Sequence, residues 1–212
     1  YSAKGVLVSP SGEVLRQHVI EHDLLVPRPV WAEHDPEGVW WQGLVGLCRE
    51  LLSGPYSGSD VGGVAVSAIG PCLLPLDERG EPLRNGILYG VDTRATEEIE
   101  QLSAQIPPEE LLRHSGTAFT SQAIGPKMLW LKENEPDVWR RTRHLTTASS
   151  YLVFRLTGEH VIDRHTASHY MPLIDIESLE WSERYAHLVA PLTLLPRLGW
   201  SAETAGSATR AA

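Results

Sequence analysis

The chain has 212 residues, 42% of them hydrophobic and 21% charged, enough to bury a proper core in one large or two small domains. Its net charge of −9 argues against a nucleic-acid or anionic-membrane surface, and the basic run Arg140-Arg141-Thr142-Arg143-His144 reads as a solvated helix end. Two cysteines, Cys48 and Cys72, give neither a metal spacing nor a disulfide framework, which points to a reducing cytoplasm, and no apolar run approaches bilayer length.

In chain order, residues 5–8 and 13–20 read as strands joined by the turn Ser9-Pro10-Ser11-Gly12. A Pro-interrupted connection, 24–34, leads to Asp35-Pro36, a helix start with Asp at the cap and Pro at the first helical position. Trp40, Leu44, Leu47 and Leu51 form one apolar stripe, and the helix ends near Ser53-Gly54-Pro55. Residues 54–63 are loop. Residues 64–68 read as a strand ending in Ile69-Gly70-Pro71-Cys72. Residues 73–76 read as a second strand, stopped by the turn Asp77-Glu78-Arg79-Gly80. Residues 87–89 are the return strand, which opens into Gly90-Val91-Asp92-Thr93-Arg94. A polar helix then runs to about Ala104 with Ile99 and Leu102 inward, and Pro107-Pro108 breaks it. A short helix through Leu112 and a small-residue loop, 114–120, follow. Helices are expected over 126–134, from Pro136, and over 150–157, the last stopped by Gly158. Short extended pieces fall at 145–147, 161–162 and 171–176, and a helix from Trp181-Ser182 to Val189. The order, a meander and then strands alternating with helices, suits a mixed α/β class.

The two commonest phosphate cradles, G-x-x-x-x-G-K-[ST] and G-x-G-x-x-G after a strand, are missing, as is H-E-x-x-H. His165 and His169 stand four apart, but no third ligand lies nearby in sequence, so no metal site is expected. Asp92 and Arg94 lie just beyond a buried strand, where open α/β sheets bind ligands. The alternative is that Asp92 caps the next helix and Arg94 lies in its solvated first turn.

The stretch 67–94 resembles the FGGY family of carbohydrate kinases, with a strand, a sugar-facing loop, a hairpin ending Asp77-Glu78-Arg79-Gly80-Glu81-Pro82-Leu83-Arg84, and Ile87-Leu88-Tyr89 leading to Asp92-Thr93-Arg94. Five further segments agree in order: 3–8, 31–36, 126–131, 151–159 and 203–206. The nearest likeness is to xylulokinase-like members. The resemblance implies a ribonuclease-H-like domain of the actin and hexokinase type, a mixed sheet flanked by helices. It implies that residues 1–212 are the substrate-side domain of a longer enzyme, lacking the family's first strand and its C-terminal nucleotide-binding domain. The implied reaction moves phosphate from ATP, with Mg²⁺, to a hydroxyl of a sugar or polyol. On this reading the chain carries no catalytic residue and is inactive alone. Lys4 matches the end of the family's phosphate turn. Gly70, Pro71 and Cys72 occupy the sugar-facing loop, here apolar. Asp92 with Arg94, and Gln122, supply the acceptors and amide a polyol wants; Gln122 read by itself is a solvated loop residue. The implied partner is a sugar or polyol; a second copy of the chain is expected because Val6, Val8 and Val14 sit on strands with no partner before them, and an unpaired apolar edge self-associates. A sugar-binding or regulatory protein without catalysis is the alternative.

Overall fold

The computed structural model describes residues 1–210, so the expected domain boundary at Ala212 lies outside the described residues. Strands β1 (Ser2–Val8) and β2 (Val14–Glu21) form an antiparallel hairpin. Strand alternation gives it two unlike faces. The inner face meets a helix: a Cβ built on Gly5 would lie 2.9 Å from Leu51, and one on Gly46 2.8 Å from Ile20. The outer face carries Val6, Val8, Val14 and Val19, each at least half exposed.

Asp35 accepts a hydrogen bond from the Glu37 N–H at 3.0 Å, and Pro36 follows, so the helix start is where Asp-Pro places it. A wide π-helical turn, Pro36–Trp41, comes before α1 (Gln42–Leu51). Trp40 and Leu47 of the predicted stripe are buried, and Leu44 and Leu51 are half-buried.

Strand β3 (Glu33–His34) lies inside the stretch read as a connection and pairs antiparallel with β5 (Gly86–Ile87). Strand β4 (Leu74–Leu76) pairs antiparallel with β6 (His144–Thr146), and Leu73 bridges to Ile87. These strands separate two apolar clusters. Leu73 and Ile87 face one, with Leu102, Met128, Leu145 and Tyr170. Cys72, Leu74, Leu76 and Leu88 face the other, with Trp40 and Tyr151. Burial on both faces explains why 72–76 reads as an unbroken apolar run rather than an alternation.

Helices α2 (Thr96–Gln105), α3 (Pro108–Ser115), α4 (Ile124–Asn134) and α5 (Pro136–Arg141) follow, with α6 (Ala148–Thr157) after β6. Gly158 ends α6 at φ +81°, the left-handed cap its position implies. Every residue of α4 from Ile124 to Leu131 is buried, Lys127 included. The helix runs through the core rather than along its surface.

Several expectations are corrected. Residues 64–68 form no strand and are mostly exposed; among the described residues nothing runs alongside to complete a ladder. His114, expected in a loop, lies in the last turn of α3 and is buried. The 171–176 strand shrinks to β8 (Ile174–Asp175), paired with β9 (Glu180–Trp181); between β6 and these come β7 (Val161–Asp163) and α7 (Arg164–Ala167). The helix expected over 181–189 is a 3₁₀ helix, Glu183–Leu188, with Ser182 at its cap. Strand β10 (Arg197–Gly199) was not expected; it pairs in parallel with β7. Strands occur as five two-stranded pairs among the described residues, with helices around them, in keeping with the expected mixed α/β class.

Candidate functional site

The segment that leaves β5 is held before it reaches Arg94. Leu88 N–H donates to Ala32 O at 3.0 Å, and Thr93 N–H to Val30 O at 3.0 Å. Between these anchors Gly90 takes φ +70°, which turns the chain at the point where Tyr89 emerges, half-buried. The Tyr89 ring lies against Gly70: a Cβ there would fall 2.7 Å from it, so only glycine fits. The His169 ring meets Tyr89 edge-on at 5.6 Å. Gln122, exposed, runs past Gly90, and the neighbouring Ser121 Oγ donates to Gly90 O at 3.0 Å. Gly70, Tyr89, Gly90, Gln122 and His169 thus come together as one partly open patch with an aromatic centre, an amide and an imidazole. Burial holds the His169 pKa below its ordinary value.

Asp92 and Arg94 stand behind this patch, and the alternative of a helix cap followed by a solvated arginine does not describe them. Both side chains are wholly inaccessible. Asp92 accepts from Ala32 N–H at 2.7 Å, from Arg94 N–H at 3.1 Å, from Arg94 Nε at 3.0 Å and from Arg94 Nη2 at 2.7 Å. It does not cap α2, whose first turn begins after Ala95. Arg94 Nη2 also donates to Glu33 at 2.8 Å, and Glu33 in turn pairs with Arg84. The Arg94 guanidinium lies 3.9 Å from the Trp31 ring centre and 4.8 Å from that of Trp130. A chain of alternating charges is therefore stacked on two tryptophans inside the domain.

The other expected residues separate. Pro71 and Cys72 are buried. The Cys72 N–H donates to Thr147 Oγ1 at 2.7 Å, and its thiol is turned into the core, where burial pushes it up to about 12. Of the loop, Gly70 is the residue packed against the Tyr89 ring. Lys4 is exposed on β1 opposite Val19, on the far hairpin. The His165 and His169 rings are 6.1 Å apart, and no group of three His, Cys, Asp or Glu among the described residues is arranged to hold a metal ion. A cavity of about 10 Å³ bordered by Asp92, Ser121 and Lys127 has room for one water. A larger one, about 190 Å³, lies between the hairpin and α1, lined by Ala3, Ile20, His22 and Gln42, and includes none of the expected sugar residues.

The family model described as "FGGY family of carbohydrate kinases, N-terminal domain" matches residues 1–212. The chain belongs to the FGGY family. It is 28% identical to a glycerol kinase of Nocardia farcinica over 98% of this chain and 42% of that protein. It is 31% identical to a xylulose kinase of Escherichia coli over 85% of this chain and 36% of that protein. Among solved structures, a xylulose kinase from Rhodospirillum rubrum superposes with a TM-score of 0.90 at 29% identity, covering 99% of this chain and 43% of that one. The chain thus spans about two-fifths of the length of these relatives. The fold is the actin- and hexokinase-like one that the FGGY resemblance implies, with its sheet divided among short pairs.

The sequence reading missed three members of the site in this FGGY domain. By sequence Tyr89 reads as the end of a strand, His169 as half of an incomplete metal pair, and Lys127 as one residue of an apolar helix. The one available signal was Lys127, a cation amid Ile124, Gly125, Pro126, Met128, Leu129 and Trp130.

Proposed function

We propose that this chain is the substrate-side domain of an ATP-dependent carbohydrate kinase, which phosphorylates a hydroxyl of a small sugar or polyol, xylulose-like first among them. The observation that carries the reading is the convergence of Gly70, Tyr89 and Gln122 on one face of a domain whose relatives are named xylulose and glycerol kinases. An aromatic ring offers a surface to the C–H face of a polyol, and an amide and an imidazole can bond its hydroxyls. With Pro71 and Cys72 turned inward, loop 69–72 offers backbone groups. Asp92 and Arg94 hold the face from behind rather than touching the sugar.

Titration of xylulose or glycerol into the isotopically labelled chain tests this. Amide shifts are expected first at Gly70, Tyr89, Gly90 and Gln122. Shifts confined to the hairpin, or none at millimolar polyol, would overturn it.

Lys4 is the one residue proposed to face the nucleotide. A polyphosphate with Mg²⁺ needs several converging donors and carboxylates. Lys4 stands on an exposed strand face whose cross-strand partner is Val19 and whose same-face neighbour is Val6. These residues do not by themselves fit ATP or Mg²⁺, and the proposal leaves that chemistry to the length that the relatives have in addition. The rival reading, a sugar-binding protein without catalysis, is favoured by the apolar 69–72 loop, and phosphate transfer by the whole protein separates the two. A cytoplasmic location belongs to the same proposal, supported by two free cysteines.

A homodimer is also proposed, through Val6, Val8, Val14 and Val19 on the outer hairpin face. A two-stranded sheet with an apolar open face tends to pair with a copy of itself. Light scattering of the chain is expected to show dimers at high concentration; a strict monomer would contradict this.

A further inference from the structure

We propose that Lys127 is a positioning residue, whose buried ammonium clasps together the two backbone segments that carry the polyol face, Leu88–Gly90 and Ser121–Gln122. This rests on the polyol-kinase reading of the chain. Lys127 is 1% exposed. Its Nζ donates to Leu88 O at 2.8 Å and to Ser121 O at 2.7 Å. Leu88 immediately precedes Tyr89, and Ser121 immediately precedes Gln122. Ser121 Oγ adds a second tie to the same pair of segments through Gly90 O. The ammonium therefore sets the distance between the aromatic centre of the face and its amide.

An apolar residue would suit this position better if packing were all that mattered. The neighbours on α4 are apolar, and an ammonium taken out of water is costly unless its hydrogen bonds are replaced. Among the described residues no carboxylate bonds it directly. The titratable groups acting on it are Asp92 and Arg94, in the segment after β5, and Cys72, just before β4. Burial lowers its pKa to about 8, with Asp92 and Cys72 opposing that and Arg94 adding to it.

The sign of the pH response separates a clasp from a plain structural lysine. The folded pKa lies below the unfolded value of 10.5. Between the two, the folded state has released a proton that the unfolded state still holds. This group's contribution to folding stability therefore rises with pH across that window. The neutral amine holds the two carbonyls less strongly than the ammonium does, so sugar affinity falls over the same window. A role in stability alone predicts no such opposition.

The experiment pairs hydrogen exchange on this chain with steady-state kinetics on the full-length protein that carries it, using Lys127→Met and Ser121→Ala. In Lys127→Met, amides at 88–91 and 121–123 are expected to exchange about tenfold faster, with the remaining core unchanged. The KM for the polyol should rise about tenfold or more and the KM for the nucleotide should stay put, since two carbonyls lose their donor and one buried acceptor left unpaired is by itself worth roughly a decade. Ser121→Ala, half-buried and removing only the second tie, should move both readouts the same way by less. The wild-type polyol KM should climb above pH 8, and that climb should vanish in Lys127→Met. Unchanged local exchange, an unchanged polyol KM, or exchange and both KM values rising together across the molecule would overturn the clasp. Absence of polyol-dependent turnover in the wild type would remove the kinase reading, and exchange at 88–91 and 121–123 would then decide the clasp by itself.

Discussion

Replacing Arg94 by methionine is expected to destabilise the domain by about 3–5 kcal/mol, the range for removing one partner of a buried ion pair. The variant leaves Asp92 without its ion-pair partner and Glu33 with Arg84 alone, although both side chains are almost entirely out of water. Asp92 keeps its bond from Ala32 N–H but loses the guanidinium that engages both of its oxygens. Methionine also fills the gap between Trp31 and Trp130 without the cation that both rings face. The loss is a large share of the total stability of an ordinary domain. Denaturant unfolding followed by tryptophan fluorescence measures it, and the midpoint should fall with the slope unchanged.

Two companions sharpen the reading. Arg94→Lys keeps the charge but not the fork that reaches Asp92 and Glu33 at once, so it should lie between wild type and Arg94→Met. Asp92→Asn turns one acceptor oxygen into a donor aimed at Arg94, and should cost roughly 1–3 kcal/mol. If Asp92 and Arg94 instead touch the sugar directly, these variants keep their stability and raise only the polyol KM. Stability lost first, with sugar affinity following it, is the result expected here.

The sequence made the local features legible and left the long-range ones hidden. Asp35-Pro36 announced its helix because capping is a two-residue affair. Gly158 announced the end of α6 for the same reason. The hairpin of β1 and β2 was readable from alternation about a Ser-Pro-Ser-Gly turn. The buried ion pair of Asp92 was not legible because its partners arrive from elsewhere: Glu33 lies 61 residues from Arg94 and Ala32 lies 60 from Asp92. Two residues of spacing could not tell a helix cap or a ligand group from an internal strut. The 64–68 run failed for the converse reason, since β-branched residues favour a strand only when another strand lies beside them. Tyr89 and Gly70 are likewise 19 residues apart in sequence and joined only by a steric fit. Family resemblance supplied the general location of the site; the geometry chose which residues of the loop face it.

The largest expected effect is on phosphate transfer itself. Placing a hydroxyl does little for phosphoryl transfer without a base for its proton and a clamp for the phosphates and metal. On the proposed reading the described residues hold the polyol face and leave the nucleotide chemistry elsewhere, and the chain covers 42% of the Nocardia glycerol kinase and 43% of the Rhodospirillum xylulose kinase. A side-by-side ADP-release assay with a panel of small polyols, run on this chain and on the full-length protein that carries it, is the most direct test. The proposal predicts polyol-dependent ADP release by the full-length protein and only the blank rate by residues 1–212. Polyol-dependent turnover by the 212-residue chain alone, in clean protein, would contradict it.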